Sequence, residues 1–251
     1  MQRDMKLTTK DVALTVCFTA LYTIFCFWPA FPIVGLPSYA IPLAALIAPV
    51  IGIILGSHLG VLSTFLGGAI GFFAGHFSPL SFVSGIVTAF FAGMLYAGKR
   101  SVCAFVYFSL LFFFGFYPFV GPVWLYPLLM WFQIIGFLVL VSPLQSMALK
   151  NMRNSNNDNS RLLLAFFIVS LTSTLAGQIA GSLTFELISW PIFIADVNDW
   201  TAGWQVLTWI YPIERIIIAL STALIGAFLY KVLMFANLVP FINREKRNGS
   251  I

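Results

Sequence analysis

Long apolar stretches alternate with short polar connectors along almost the whole chain. A membrane-spanning helix needs about 20 mostly apolar residues, and eight stretches approach that length. They cover residues 11–29, 40–55, 58–75, 80–98, 101–118, 123–147, 162–189 and 211–236. Only the tripeptide Gly56-Ser57-His58 separates the second stretch from the third, so these two form either a tight helical hairpin or partly tilted elements. The pattern predicts an all-α polytopic membrane protein with about six to eight transmembrane helices.

One polar, low-complexity run interrupts this pattern at residues 151–160. Its Asn- and Ser-rich composition offers little apolar surface to bury, which is typical of a flexible linker. We predict that this cytoplasmic linker divides a single integral membrane domain, residues 1–251, into two parts. The front part (1–150) holds six apolar segments, and the back part (161–251) holds two C-terminal helices.

Basic residues concentrate in every second connector. The clusters are Arg3, Lys6 and Lys10; Lys99 and Arg100; Lys150, Arg153 and Arg161; and Lys231, Arg244, Lys246 and Arg247. Cytoplasmic loops retain Lys and Arg, so this spacing predicts cytoplasmic N- and C-termini in a cell-membrane protein. The net charge of +5 fits contact with anionic membrane lipids and gives no reason to expect a nucleic-acid partner. Arg215 alone falls on the outer side.

Composition and motifs narrow the function. Apolar residues make up 60% of the chain and charged residues 8%, which excludes an ordinary soluble domain. Cys17, Cys26 and Cys103 lie in apolar runs, and His58 and His76 fall on opposite sides of the predicted membrane. No zinc-protease, Walker, nucleophile-elbow or dinucleotide-binding motif occurs. We expect no catalytic, metal or cofactor site and no hydrolysis of ATP by this chain alone.

A polar stripe runs along the seventh apolar segment. Gln178, Ser182 and Glu186 recur every four residues and stay within about 80° of one another on a helix of 3.6 residues per turn. Lipid cannot satisfy such groups, so the stripe must face protein or a water-filled cavity. For Gln178 and Glu186 the pattern leaves a ligand-binding and a structural role equally open.

The eighth segment opens with Tyr211-Pro212-Ile213-Glu214-Arg215. A proline early in a helix predicts its first turn, where Glu214 would complement the helix dipole. Arg215 is a cation near a predicted helix N-terminus and a basic residue on the outer side, and both placements are unfavourable. It should therefore pair with Glu186 or Glu214 or bind an anionic ligand. The loop at 30–38 would cover the site as a lid. His76 lies in the second outer connector, and Gln133 could line a stacking pocket with nearby tryptophans. The candidate substrate-binding residues are Arg215, Glu186, Gln178, Glu214, His76 and Gln133.

The outer connectors are predicted at 30–39, 76–79, 119–122 and 190–210. The last contains Trp190, Trp200, Trp204 and Trp209. Tryptophan favours the membrane–water boundary, so we expect this connector to lie along the outer surface.

Several of these segments resemble one family. They are the run from Leu14 to Phe25, Pro32-Ile33-Val34-Gly35, the run from Ala48 to Gly56 with Leu66-Gly67-Gly68, and Tyr211-Pro212-Ile213-Glu214-Arg215. Over about residues 8–76 and 205–236 the chain resembles S-components of energy-coupling factor (ECF) transporters, in a variety common in archaea. The resemblance implies a six-helix core, to which this chain adds further apolar segments.

The resemblance also implies a function and partners. S-components capture a vitamin or similar micronutrient at the outer face and work with a transmembrane coupling subunit and two cytoplasmic ATPase subunits. The family's Ala-x-x-x-Ala coupling motif on the first helix corresponds here to Ala13, Cys17 and Ala20, with the second alanine replaced by cysteine. Two alternatives remain: a membrane enzyme acting on a lipid or isoprenoid substrate, and a stand-alone secondary carrier.

Overall fold

The protein is described by a computed structural model over residues 8–33, 40–153, 158–236 and 238. The helices are α1 (Thr9–Cys26), α2 (Ala44–Phe73), α3 (Pro79–Tyr96), α4 (Arg100–Gly115), α5 (Pro122–Leu125), the 3-10 helix η1 (Pro127–Met130), α6 (Trp131–Val141), α7 (Pro143–Arg153), α8 (Asn159–Ser189) and α9 (Val197–Phe235). Strands β1 (Pro29–Pro32) and β2 (Ala40–Pro42) form one antiparallel hairpin between α1 and α2.

Helix length and apolar character agree with a membrane protein. Within the described ranges, five helices are long and apolar enough to cross a bilayer: α1, α2, α3, α8 and α9. A bent pair, formed by η1 with α6 on one side and α7 on the other, would make a sixth span. The apolar helix α4 is shorter. The fold is that of an all-α polytopic membrane protein, as the apolar pattern predicts.

Helix α2 folds back on itself at Gly56. The φ of Gly56 is 81°, a left-handed conformation that glycine adopts without steric cost. A Cβ built on Gly60 would lie 3.0 Å from Gly52 Cα, whereas residues eight positions apart in a straight helix are separated by about 12 Å. Of the two predicted alternatives, the structure adopts the tight hairpin, with halves α2a (44–55) and α2b (57–73).

The predicted segment 123–147 is not one continuous helix. The chain there forms α5, η1, α6 and α7, and the axis bends by 60° between α6 and α7. Ser142 is extended (φ −79°, ψ 162°) and precedes Pro143, which begins α7. A residue before proline disfavours the helical conformation, so the helix stops there.

The predicted connector 190–210 is also wrong over most of its length, because α9 begins at Val197. The Asp196 side chain caps this helix by accepting a hydrogen bond from the Asn198 backbone N–H at 2.8 Å. Trp200 and Trp204 are buried against Phe185 and Phe114. These indoles fill helix–helix contacts and do not mark a surface loop.

Because α9 begins early, the interpretation of Glu214 and Arg215 changes. Pro212 lies in the helix interior, so Glu214 and Arg215 are far from the helix N-terminus. The dipole explanation for Glu214 is therefore wrong, because that effect fades within the first turn. The predicted linker is shorter than expected as well: α7 extends to Arg153 and α8 begins at Asn159, and residues 154–157 lie outside the described part.

Small residues allow α3 and α8 to approach closely. A Cβ on Gly177 would lie 2.6 Å from the Ser84 carbonyl oxygen, and one on Gly181 would lie 3.2 Å from the Leu80 carbonyl oxygen. Side chains of this size let helix backbones pack in direct contact. Near their ends at Leu80 and Gly181, α3 and α8 together with α9 surround a cavity.

Candidate ligand-binding site

A cavity lies at the end of the bundle where the β-hairpin covers the helices. Its volume is about 70 Å³, whereas a single water needs only about 10–15 Å³ on the same scale. Side chains from α1, the hairpin, α2a, α3, α8 and α9 line it. The cavity therefore has room for several waters or a small molecule, and it brings together distant parts of the sequence.

The β-hairpin supplies the cover. Pro32 and Ile33 from the end of β1, and Ile41 and Pro42 from β2, line the cavity. The predicted lid at 30–38 thus contributes its first half to the site, while residues 34–38 lie outside the described part. These four side chains are apolar, so the described part of the cover offers the cavity no polar side chain.

Helix α9 contributes a buried ion pair. Arg215 Nη2 lies 3.7 Å from Glu214 Oε2, and both side chains are only 6% exposed. Both residues line the cavity. The sequence left Glu186 and Glu214 open as partners of Arg215, and Glu214 is the acid that lies within ion-pair distance. At 3.7 Å the pair neutralises charge but makes no hydrogen bond.

The same turn of α9 joins the polar stripe of α8. Tyr211 lines the cavity, and its hydroxyl oxygen lies 3.4 Å from Ser182 Oγ. This tyrosine connects the two polar groups that the sequence predicts separately.

The stripe on α8 faces the protein interior, as its period predicts. Gln178 and Ser182 line the cavity, together with Thr174 one turn earlier. Glu186 continues the stripe and is 0% exposed, but it does not line the cavity. In the described part of the chain, neither carboxyl oxygen of Glu186 has a hydrogen-bond partner. The structure thus separates Glu186 from the other members of the stripe.

Aromatic rings form the opposite wall. Tyr22 and Phe77 pack edge to face at 6.2 Å between ring centroids, and Phe185 lines the cavity from α8. The Tyr22 ring reaches into the cavity because Gly85 on α3 has no side chain; its hydroxyl occupies the space of a Cβ there. Sequence reasoning did not single out these rings, since aromatic residues are frequent throughout the chain.

A second polar face, on α3, was also not predicted from the sequence. Ser81, Ser84 and Thr88 line the cavity from α3. Their spacing of three and four residues in an otherwise apolar helix is the same signal that identified the stripe on α8. Applied to the fourth apolar segment, that signal would have located this wall.

Two of the predicted substrate-binding residues lie elsewhere. His76 is exposed, and its ring centroid lies 5.0 Å from that of Phe27. Gln133 is buried on α6, where its backbone carbonyl accepts a hydrogen bond from the Tyr107 hydroxyl. Neither residue lines the cavity. His76 was predicted from its place in an outer connector and Gln133 from nearby tryptophans, and neither feature specifies the side of a helix bundle.

The three predicted coupling residues lie on one exposed strip of α1. Ala13, Cys17 and Ala20 are exposed, and so are the neighbouring apolar side chains Val12 and Val16. On the other side of the helix, Phe18 and Tyr22 are buried in the core. Within the part of the chain that the structure describes, nothing covers the exposed strip.

The cavity lining combines polar and aromatic groups. Its lining offers one compensated ion pair, a carboxamide, hydroxyls and aromatic rings, and none of the described lining residues is a histidine, cysteine or lysine. A small molecule with polar and flat apolar parts fits such a lining. Among known proteins, no family model, curated protein or solved structure matches this chain.

Proposed function

We propose that this protein is the substrate-binding membrane subunit of an ECF-type ABC uptake transporter, which captures a vitamin or similar micronutrient from the outer face. The observation that carries the proposal is the cavity beneath the β-hairpin, where Arg215, Glu214 and Gln178 lie among aromatic rings. A covered cavity of this composition suits reversible capture of a small molecule. The resemblance of residues 8–76 and 205–236 to S-components supports the same assignment.

The orientation follows from the basic residues at the opposite end of the bundle. There, Arg153 Nη2 donates a hydrogen bond to the Tyr96 carbonyl at 2.7 Å, and Arg100 Nε donates to the Leu140 carbonyl at 2.7 Å. Lys231 contacts Asn159 at the same end. The positive-inside rule assigns this end to the cytoplasm of the cell membrane. In this orientation both termini are cytoplasmic and the cavity opens toward the outside.

Site-directed labelling tests this orientation. In a background where the exposed Cys17 is replaced by alanine, a membrane-impermeant thiol reagent added from outside should modify Asn198→Cys but not Lys99→Cys. Both positions are exposed, at opposite ends of the bundle. Asn156, in the linker outside the described residues, should behave like Lys99. Labelling of Lys99→Cys with protection of Asn198→Cys would reverse the orientation and place the cavity at the cytoplasmic side.

The exposed strip of α1 fits the proposed partners. Its small residues Ala13, Cys17 and Ala20 would let a transmembrane helix of the coupling subunit approach closely. Energy would come from two ATPase subunits, since the sequence contains no nucleotide-binding motif of its own. In this assignment, ligand capture belongs to this chain and transport to the complex.

Reconstitution tests the function. Proteoliposomes that contain the protein with its coupling and ATPase subunits should accumulate ligand only when ATP is present on the ATPase side. The ligand is first identified by native mass spectrometry of the purified protein. Uptake by the protein alone, driven by a proton or sodium gradient, would establish a secondary carrier instead. Chemical conversion of the co-purifying molecule would establish an enzyme.

A further inference from the structure

The carboxamide of Gln178 is a polar group of the cavity that has no hydrogen-bond partner on either atom within the described part of the chain. Gln178 is 4% exposed and lines the cavity. Neither Oε1 nor Nε2 has a hydrogen-bond partner among the residues that the structure describes. Burying an amide without a hydrogen-bond partner is costly. Because Gln178 lines the cavity, a molecule bound there can supply the missing donor and acceptor.

The two hydroxyl side chains one turn away from Gln178 on α8 are already engaged. Thr174 Oγ1 donates to the Ser170 carbonyl at 2.8 Å. Ser182 lies within hydrogen-bond distance of the Tyr211 hydroxyl. A molecule in the cavity therefore meets the carboxamide of Gln178, which offers one acceptor and two donors in a single plane.

The charges of the lining favour an uncharged occupant. Arg215 and Glu214 compensate one another at 3.7 Å, and they are the only charged side chains among the described lining residues. A ligand with a net charge would add an uncompensated charge to this buried environment, which is strongly unfavourable. A flat, neutral ring instead suits the aromatic wall formed by Tyr22, Phe77 and Phe185.

We propose that the cavity selects an uncharged heterocycle with a lactam edge, meaning a ring N–H adjacent to a ring C=O. The ring N–H donates to Gln178 Oε1, and Gln178 Nε2 donates to the ring carbonyl. Two parallel hydrogen bonds of this kind satisfy both unpaired atoms at once. This inference rests on the proposed function to the extent that the cavity is taken as the capture site.

Matched probes test the proposal on the purified full-length protein. Uracil, hypoxanthine and lumazine each carry a lactam edge, and their N-methylated derivatives keep the ring but lose the N–H donors. By calorimetry, at least one parent ring should bind, and its methylated form should bind roughly tenfold more weakly or worse, because a buried acceptor is left unpaired. Equal binding of parent and methylated rings, or binding of none of the three at millimolar concentration, would overturn the proposal.

Two variants test whether Gln178 causes the preference for the parent ring over its methylated form. Gln178→Leu should remove the preference for the parent ring over its methylated form, a readout that a purely structural role would not change. Gln145→Leu is the matched control: Gln145 is also buried with an unpartnered amide nitrogen, but it lies outside the cavity lining. Its preference should stay within twofold of wild type. Persistence of the full preference in a folded Gln178→Leu protein would contradict the assignment.

Failure of this inference is distinguishable from failure of the proposed function. If the protein binds no lactam but takes up another molecule with its ATPase partners, the ligand class is wrong and the capture function stands. If lactam binding is found and the partners produce no ATP-dependent uptake, the recognition stands and the transport assignment falls.

Discussion

Replacing Arg215 with alanine should lower the free energy of unfolding by about 3–5 kcal/mol, because Glu214 would keep a buried charge without its partner. Both side chains are 6% exposed and 3.7 Å apart. Thermal and denaturant unfolding of the purified protein in detergent measure the loss. Arg215→Lys keeps the positive charge, and the 3.7 Å contact is not a bidentate fork that an ammonium group would fail to reproduce, so this variant should lose less stability than Arg215→Ala.

A surface ion pair provides the matched control. Arg161 Nε lies 2.9 Å from Asp158 Oδ2, but these side chains are 74% and 47% exposed. Exposed pairs contribute about 0–1 kcal/mol, so Arg161→Ala should change stability by no more than that. In the double variant Arg215→Met with Glu214→Gln both charges are absent, and most of the stability should return. An Arg215→Ala protein as stable as wild type would show that the Arg215 charge reaches the membrane surface and does not belong to the cavity.

Replacing Gly93 with alanine should destabilise the protein by about 1–3 kcal/mol through overpacking. A Cβ on Gly93 would lie 2.6 Å from Ser57 Cα and 2.7 Å from the Gly56 carbonyl carbon. Both atoms belong to the backbone of the α2 turn, so no side-chain rotation can relieve the contact. The hairpin of α2 would have to move away from α3, and α3 carries one wall of the cavity. Unfolding and probe binding should therefore both be affected.

Gly203→Ala is the corresponding control. This glycine also lies within a helix, but nothing is within 4 Å of a Cβ built there. Alanine is the better helix former by about 1 kcal/mol, so this change should leave stability unchanged or raise it. Equal stability of Gly93→Ala and Gly203→Ala would mean that the α2 turn does not contact α3 as closely as the structure describes.

Much of the fold and part of the site were predictable from the chain. The length of the apolar runs indicated spanning helices, and a period near 3.6 placed Gln178 and Ser182 on one buried face. The exceptional charge of Arg215 indicated an internal partner. These inferences succeed because a bilayer leaves few alternatives: backbone groups must be paired within helices, and polar side chains must turn away from lipid.

Other features depended on tertiary contacts. The start of α9 at Val197 was not predicted, because two of the four tryptophans taken as a surface signal, Trp200 and Trp204, are buried between helices. The hairpin at Gly56 was one of two alternatives that local sequence could not separate. Glu186 and Gln178 share a helical face, yet only Gln178 lines the cavity.

The amino-acid sequence by itself determined the helical, membrane-embedded class and the set of polar residues that had to be buried. Only the tertiary structure decided which of them meet: Glu214 with Arg215, Ser182 with Tyr211, and Gln178 with the open space of the cavity. Periodicity fixes the side of a helix on which a residue lies. Which neighbouring helix that side faces depends on close packing at residues such as Gly85 and Gly177, far away in the sequence from the polar groups they bring together.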